Sequence, residues 1–273
     1  MNPESRQSVI QPAPFSEARY AEAFNFLVKV SREYEPMKRA LVRVINKHCP
    51  GPYSLLDIGA GRGIFFHDVL SELYRQPCRY GAYEPNANHF QELQTRAEAL
   101  GEQQELRQQS FTPESELKPV WDVVLMSHCL YWMQPMGKYV RAAMAGLKPD
   151  GVLVIFLQPA AGFYLIQNDF SELMSIREDG LNTHSSTLEL MPELSELNIE
   201  AVEELLPGYL DFSGIWNDDE ALLEMGCFIL GGELRGLPES IQKSMLHHIR
   251  ANTLQLDQFK LFNQPTSMVL VYK

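Results

Sequence analysis

The stretch SLLDIGAGRGIFFHDVL, which runs from Ser54 to Leu70, carries the pattern that best predicts the fold. Its first part, SLLDI, is short and apolar, which predicts a buried β-strand. Three glycines then alternate at Gly59, Gly61 and Gly63, and apolar residues at helical spacing follow them. Glycine allows the backbone angles of a tight turn and lets a ligand lie against bare backbone. The stretch therefore predicts a strand, a ligand-binding turn and a helix.

Strand and helix signals alternate on the C-terminal side of this stretch. The segments CRYGAYEP, VWDVVLMSHCLYWM and VLVIFLQ have strand character, and helical segments separate them. Strands joined by helices of this length predict a parallel sheet that is covered on both faces. Helical segments dominate after Pro159, and the C-terminal segment TSMVLVYK predicts a last strand that runs antiparallel to the others.

This alternation divides the chain into three parts. Residues 1–48 are predicted to form a tail and a helical lid, residues 49–160 a ligand-binding core, and residues 161–273 helical insertions plus the final strands of the sheet. Within the first part, residues 1–14 are polar and rich in proline. A helical pattern follows as far as His48, and Pro36 predicts a break or kink in it.

The composition excludes several classes of function. The 273 residues are 45% hydrophobic and carry a formal net charge of −12. An acidic chain repels phosphate groups, so we expect neither nucleic acid nor a membrane surface as a partner. The four cysteines form no CxxC pair, and no metal site is predicted. The sequence shows neither a signal peptide nor an apolar run of about 20 residues, so a cytoplasmic protein is expected. A monomer or a weak dimer is expected as its oligomeric state.

A carboxylate follows the next predicted strand. Glu84 ends the segment YGAYE and comes 21 residues after Gly63. Ligands of open α/β sheets bind beyond the carboxyl ends of the strands, where a carboxylate can accept hydrogen bonds from both hydroxyl groups of a ribose. The alternating glycines match neither GxGxxG nor the phosphate-binding GxxxxGK[ST] pattern. This spacing indicates a nucleoside ligand that has no pyrophosphate.

The glycine turn and Glu84 together resemble motifs I and II of the class I S-adenosylmethionine-dependent methyltransferases, over about residues 50–160. The resemblance implies a Rossmann-like sheet, S-adenosylmethionine as cofactor, S-adenosylhomocysteine as its product, and no metal. The cofactor-binding positions that it implies are Asp57, Gly59, Gly61, Gly63, Glu84, Pro85, His89, Ser110 and Ser127. The alternative is a structural glycine turn with a solvated glutamate and a solvated His89.

Segments near both ends of the chain are similar to the histamine N-methyltransferase-like family. They are FSEARYAEAFNFLVKVSREYEPM and LFNQPTSMVLVY, together with HCLYWM at the end of the strand segment VWDVVLMSHCLYWM. This resemblance implies an N-terminal helical lid, a small helical substrate subdomain, and methyl transfer to a nitrogen of a small amine or imidazole-type molecule. On it, Glu33 falls on the acidic residue that recognises the substrate, His128 on a substrate-contacting glutamine and Gln264 on an asparagine.

Aromatic residues near these positions could form the walls of the acceptor site, because a carboxylate beside aromatic rings suits a cation. The expected acceptor-binding positions are Tyr20, Phe24, Glu33, His128, Tyr131, Trp132, Trp216 and Gln264. Core packing is the alternative role for each aromatic residue, and a solvated charge is the alternative for Glu33.

His128 is the candidate catalytic residue. An amine attacks only when its lone pair is free, and a histidine, which titrates near neutral pH, can take or relay the proton. The alternative role for His128 is a hydrogen bond to the substrate alone. Two other functions stay open, because the same cofactor motifs serve them: an O- or C-methyltransferase of a natural-product pathway, and a non-catalytic module that binds S-adenosylmethionine.

Overall fold

The computed structural model describes residues 11–98, 103–174 and 185–273, and these residues form two compact units. The sheet unit is drawn from Tyr34–Pro159, Ser185–Pro207 and Thr266–Lys273. The insert unit is drawn from the described parts of Met1–Glu33, Ala160–His184 and Gly208–Pro265. The three-part division of the chain stays a prediction, and the first ten residues of the predicted tail lie outside the described ranges.

Within these ranges the helices are α1 (Glu17–Val30), α2 (Tyr34–His48), α3 (Ile64–Leu70), α4 (Ala87–Ala97), α5 (Met136–Ala145), α6 (Phe163–Asp169), α7 (Thr187–Glu196), α8 (Asp219–Leu230) and α9 (Glu239–Ala251). The strands are β1 (Ala13–Pro14), β2 (Ser54–Ile58), β3 (Arg79–Tyr83), β4 (Gln103–Arg107), β5 (Trp121–Ser127), β6 (Leu147–Leu157), β7 (Ala201–Leu206), β8 (Tyr209–Asp211), β9 (Gly232–Glu233), β10 (Thr253–Leu256), β11 (Phe259–Asn263) and β12 (Thr266–Tyr272).

The sheet unit contains a seven-stranded sheet in the order β4-β3-β2-β5-β6-β12-β7. Strands β2 to β6 pair in parallel, and β12 pairs antiparallel with both β6 and β7. This arrangement confirms the predicted fold class, a mostly parallel Rossmann-like sheet whose last strand is antiparallel. The order of the strands reverses between β2 and β5, which is where ligands of such sheets bind.

Both faces of the central strands of this sheet are buried, as their apolar sequences predicted. In β5, Val123 and Leu125 belong to one hydrophobic core, and Val124 and Met126 belong to the core on the opposite face. All four side chains are fully buried. Because side chains alternate between the faces of a strand, a strand covered on both sides requires an unbroken apolar run.

The insert unit contains a sheet that the sequence-based description did not predict. Helices α1, α6, α8 and α9 share one hydrophobic core with a three-stranded antiparallel sheet in the order β10-β11-β8. The segment PESIQKSMLHHIRANTL, Pro238 to Leu254, has the residue pattern of one continuous helix. The helix ends at Ala251 instead, and the chain turns back at Asp257, which has a φ of 47°.

The N-terminal helical segment breaks earlier than Pro36 indicated. Helix α1 ends at Val30, where Ser31 forms a β-bridge with Leu210 and the Arg32 N–H donates to the carbonyl of Tyr209 at 2.9 Å. Pro36 lies in the first turn of α2, where a missing N–H costs nothing because that group has no partner within a helix. Pairing with β8 therefore ends the first helix, and the prediction that placed the break at Pro36 was wrong.

Candidate functional site

The turn after β2 has the backbone conformation that the glycine pattern predicted. Gly59, Gly61 and Gly63 have positive φ angles of 73°, 56° and 73°. The Gly59 N–H donates to the carbonyl of Tyr83 at 2.9 Å, which ties the turn to the end of β3. L-amino acids with side chains rarely adopt these angles, so the sequence needs glycine here.

The three glycines of the turn differ in how much space surrounds them. A Cβ atom at Gly59 would lie 2.5 Å from the Cβ of Cys129, and one at Gly63 would lie 2.7 Å from a methyl group of Leu93. A Cβ atom at Gly61 would meet nothing within 4 Å. Gly59 and Gly63 are therefore required by packing, whereas Gly61 presents its backbone to open space. The contact of Cys129 with Gly59 was not predicted, because nothing local in the sequence marks it.

Glu84 lies beside this turn and is only 6% exposed. Its Oε2 accepts a hydrogen bond from the Gly61 N–H at 2.9 Å, and its Oε1 accepts one from the Asn86 N–H at 2.8 Å. The Nδ1 atom of His89 lies 3.9 Å from Oε1. A carboxylate has about four acceptor positions. Glu84 can therefore hold the turn and still accept two hydroxyl groups of a ligand.

Asp57 is the second buried carboxylate next to the turn. It is 4% exposed and accepts a hydrogen bond from the Tyr80 hydroxyl at 3.2 Å. Burial raises the pKa of Asp57 to about 7, the Tyr80 hydrogen bond opposes the shift, and the charge of Glu84 adds to it. Asp57 lies within β2, whose five residues are all buried, so its carboxyl group is part of the protein core next to the turn.

The remaining predicted cofactor positions lie at the same edge of the sheet. Pro85 and Ser110 are exposed and follow β3 and β4, and Ser127 is half-buried as the last residue of β5. Phe111 was not singled out from the sequence. It is buried and packs edge-on against the ring of Tyr83, with the centroids 5.3 Å apart. The only sequence signal for this packing contact was the presence of an aromatic residue directly after Ser110.

His128 follows β5 in a conformation that is unusual for a side-chain-bearing residue, with a φ of 51°. Its backbone N–H donates to the carbonyl of Phe156 at 2.9 Å, and its Nδ1 lies 2.9 Å from the Tyr131 hydroxyl. The Tyr131 hydroxyl also accepts a hydrogen bond from the Gln158 N–H at 3.0 Å. Backbone strain of this kind concentrates at functional sites. The neighbouring Trp132 ends a short 3₁₀ helix.

Glu33 and Gln264 come together within the insert unit. Both residues are buried, with 9% and 5% exposure, and the Cβ of Glu33 and the backbone of Gln264 lie next to Gly208. A Cβ atom at Gly208 would lie 3.2 Å from the Cβ of Glu33 and would overlap the backbone oxygen of Gln264. The Gln264 side-chain oxygen accepts the Phe163 N–H at 2.8 Å. Gly208 was not predicted, although the pair Pro207–Gly208 was the available signal.

The predicted aromatic residues of the insert unit form two separate groups. Tyr20 and Phe24 are each 37% exposed, and their rings are stacked 6.2 Å apart beside Phe228. Trp216 instead lies under two cationic side chains, with Arg250 5.8 Å and Lys260 5.9 Å from the ring centroid.

The described ranges contain no group of three or more His, Cys, Asp or Glu side chains that could hold a metal ion. Cys49, Cys78, Cys129 and Cys227 are free thiols. In the same ranges, no helix has the length and apolar character needed to cross a bilayer.

Known structures share this fold. A solved structure of the YcgJ protein from Bacillus subtilis aligns with a TM-score of 0.59 and 15% identity, over 86% of this chain and 97% of that one. A candidate methyltransferase from Bacillus halodurans aligns with a TM-score of 0.56 and 14% identity, over 85% and 98%. Haemonchus contortus phosphoethanolamine N-methyltransferase 2 aligns with a TM-score of 0.50 and 15% identity, over 85% and 52%. At these identities the likeness concerns the fold alone.

No curated protein matches the sequence. The comparisons give no support for the histamine N-methyltransferase-like family in particular. A family model described as "Methyltransferase domain" matches residues 30–202, which is more than half of the 273 residues. The chain belongs to this methyltransferase-domain family and has the fold of the class I S-adenosylmethionine-dependent methyltransferases.

Proposed function

We propose that this protein transfers a methyl group from S-adenosylmethionine to a nitrogen atom of a small amine or imidazole-type molecule. The observation that carries the proposal is the position of Glu84, a buried carboxylate that is hydrogen-bonded to the open glycine Gly61. This geometry offers bare backbone and a ribose acceptor side by side at the end of two parallel strands.

The residues at this edge fit the proposed cofactor. Gly61 leaves space for the amino-acid end of the molecule, and Glu84 keeps acceptor capacity for the ribose hydroxyl groups. His89 and Ser110 are the residues proposed to contact the adenine. When bound, S-adenosylmethionine supplies a methyl group on a sulfonium, which is a good leaving group. The protein then needs chiefly to align the acceptor and to exclude water.

The methyl acceptor is proposed to be a molecule that is cationic in solution. The positions of Glu33 and Gln264 support this proposal. Both residues are buried near Gly208, and they supply a carboxylate and a side-chain amide. A buried carboxylate recognises a partner of opposite charge more strongly than an exposed one, because water screens it less. The net charge of −12 favours the approach of such molecules.

His128 is proposed to take or relay the proton that the amine loses before it attacks. The Tyr131 hydroxyl lies 2.9 Å from Nδ1, a contact that orients the imidazole ring for this role. Tyr131 is in turn positioned by the Gln158 backbone. In this proposal Tyr131 is a positioning residue that acts through His128, and the other possible role of His128 is a hydrogen bond to the acceptor alone.

A methylation screen tests the function. The purified protein is incubated with S-adenosylmethionine and panels of amines, imidazoles, amino acids, phenols and catechols, and mass spectrometry locates the added methyl group. We expect methyl transfer to nitrogen. Labelling of oxygen or carbon would instead support a natural-product O- or C-methyltransferase. Tight cofactor binding with no turnover on any panel would favour a non-catalytic binding module.

A further inference from the structure

The three-stranded sheet of the insert unit exposes an apolar edge strand. Strand β10, Thr253–Leu256, lies at the edge of the order β10-β11-β8, and within the described ranges no strand pairs with its outer side. Its Leu254 and Leu256 are 57% and 50% exposed. Phe259, opposite Leu256 on β11, is 47% exposed. An uncovered edge with apolar side chains is a ready site for pairing with another strand.

The hydrogen bonds of β11 show which backbone groups of β10 face outward. Gln255 lies opposite Lys260. The backbone groups of Lys260 are used on the other side, because its carbonyl accepts the Phe212 N–H at 2.8 Å and its N–H donates to the Ser213 hydroxyl at 3.0 Å. Gln255 is therefore in a non-hydrogen-bonded pair, and its N–H and C=O point to the open side of the sheet.

The sequence of β10 is suited to pairing with itself. Antiparallel pairing about a two-fold axis at Gln255 sets Gln255 opposite the same residue of the second copy, so their free backbone groups can exchange two hydrogen bonds. In the same register Leu254 lies opposite Leu256 of the second copy, twice over, on one face. Thr253–Leu256 contains no charged residue. Two copies of a chain with a net charge of −12 can approach here with little repulsion.

We propose that this protein forms a symmetric homodimer in which the β10 strands of two copies pair antiparallel around Gln255, giving a continuous six-stranded sheet. Such an interface is isologous, so the same strand serves on both sides. The proposal does not depend on the methyl-transfer activity, and its failure would leave the proposed function untouched.

Sedimentation velocity tests the dimer with three variants over a concentration series that reaches about 100 µM, where a dimer with a micromolar dissociation constant is populated. Gln255→Lys places two like charges opposite each other at the axis. Gln255→Pro removes the outward N–H, which an edge strand tolerates. The control is Leu188→Lys, which adds the same charge at an exposed leucine of α7.

We expect twice the mass of one chain for the wild type and for Leu188→Lys, and the mass of one chain for both Gln255 variants. Circular dichroism confirms that each variant is folded. Hydrogen exchange of the wild type gives an independent reading, in which the Gln255 amide exchanges more slowly at high than at low protein concentration. A monomeric wild type throughout the series, or Gln255 variants that dimerise as the wild type does, would overturn the proposal.

Discussion

At the scale of single residues, two aspartates of the sheet unit have pKa values shifted in opposite directions, although burial raises the pKa of both. Asp57 accepts one hydrogen bond from a tyrosine, and burial raises its pKa to about 7. Asp122 is also partly buried, which favours its neutral form, yet hydrogen bonds from Lys148 and Ser54 outweigh burial and lower its pKa. The same side chain thus weakens the fold at neutral pH in one place and stabilises it in the other.

Asp57→Asn should raise the free energy of unfolding at pH values above about 7. In the wild type the unfolded chain ionises Asp57 from about pH 4, whereas the folded state holds the proton up to about pH 7. The wild type therefore loses stability as the pH rises through this window, by up to about 4 kcal/mol. Asparagine has no proton to lose and can still accept the Tyr80 hydrogen bond. Urea unfolding of both proteins from pH 5 to pH 8 measures the difference.

Asp122→Asn is the contrasting variant. Its free energy of unfolding should fall below that of the wild type at neutral pH, because the ion pair with Lys148 is lost. The difference should shrink as the pH drops below the usual value of 3.8 and through the lowered pKa of Asp122. A gain in stability for Asp57→Asn that is independent of pH would contradict the account of Asp57.

His128→Gln separates the two roles proposed for His128. Glutamine can keep a hydrogen bond but cannot take a proton, so kcat should fall by about 10²-fold and the acidic limb of the pH–rate profile should disappear. The profile is measured on the acceptor that the methylation screen identifies. An unchanged profile would leave His128 with a hydrogen-bonding role only.

Tyr131→Phe tests the positioning of that histidine. The variant removes the hydroxyl that lies 2.9 Å from the His128 Nδ1 and leaves the ring in place. We expect a lower kcat, a displaced acidic limb and a KM close to that of the wild type. A change in KM alone would assign Tyr131 to acceptor binding.

At the scale of elements, the turn between β2 and α3 carries the proposed contacts to the cofactor. Gly61→Ala adds a methyl group on the open side of the turn, where the φ of 56° already disfavours a side chain. We expect about 1 kcal/mol of lost stability and at least a tenfold weaker binding of S-adenosylmethionine by calorimetry. The control is Gly51→Ala, where a Cβ atom also meets nothing within 4 Å. Equal affinity of the two variants for S-adenosylmethionine would mean that Gly61 does not contact the cofactor.

Local patterns explain which elements could be predicted. The apolar run of β5 indicates a strand buried on both faces, and the glycines after β2 indicate a tight turn. Both patterns are local, so the sheet and the turn could be predicted from the sequence. The end of α1 and strand β11 could not, because both depend on pairing with the distant strand β8. Phe111 and Gly208 were not predicted as site residues for the same reason, because each contacts residues that are far away in the sequence.

At the scale of the whole molecule, the fold and the family narrow the chemistry without selecting the acceptor. Proteins that share this fold differ widely in sequence, with 15% identity or less to this chain among the structures compared. Function in such folds depends on the site residues. The predicted cofactor positions lie on strands and a turn that local sequence patterns indicated, whereas Glu33 and Gln264 were indicated only by a family resemblance that the comparisons do not support.

The central claim is that Glu84 and the glycine turn bind S-adenosylmethionine, and calorimetric titration of the wild type and two matched variants tests it most directly. Glu84→Gln and Glu196→Gln remove the same charge, one from the buried site and one from an exposed position at the end of α7. The account predicts one saturable site in the wild type and in Glu196→Gln, and binding at least tenfold weaker in Glu84→Gln. A folded wild type that takes up no S-adenosylmethionine, or a Glu84→Gln variant that binds it as tightly as the wild type, would contradict it.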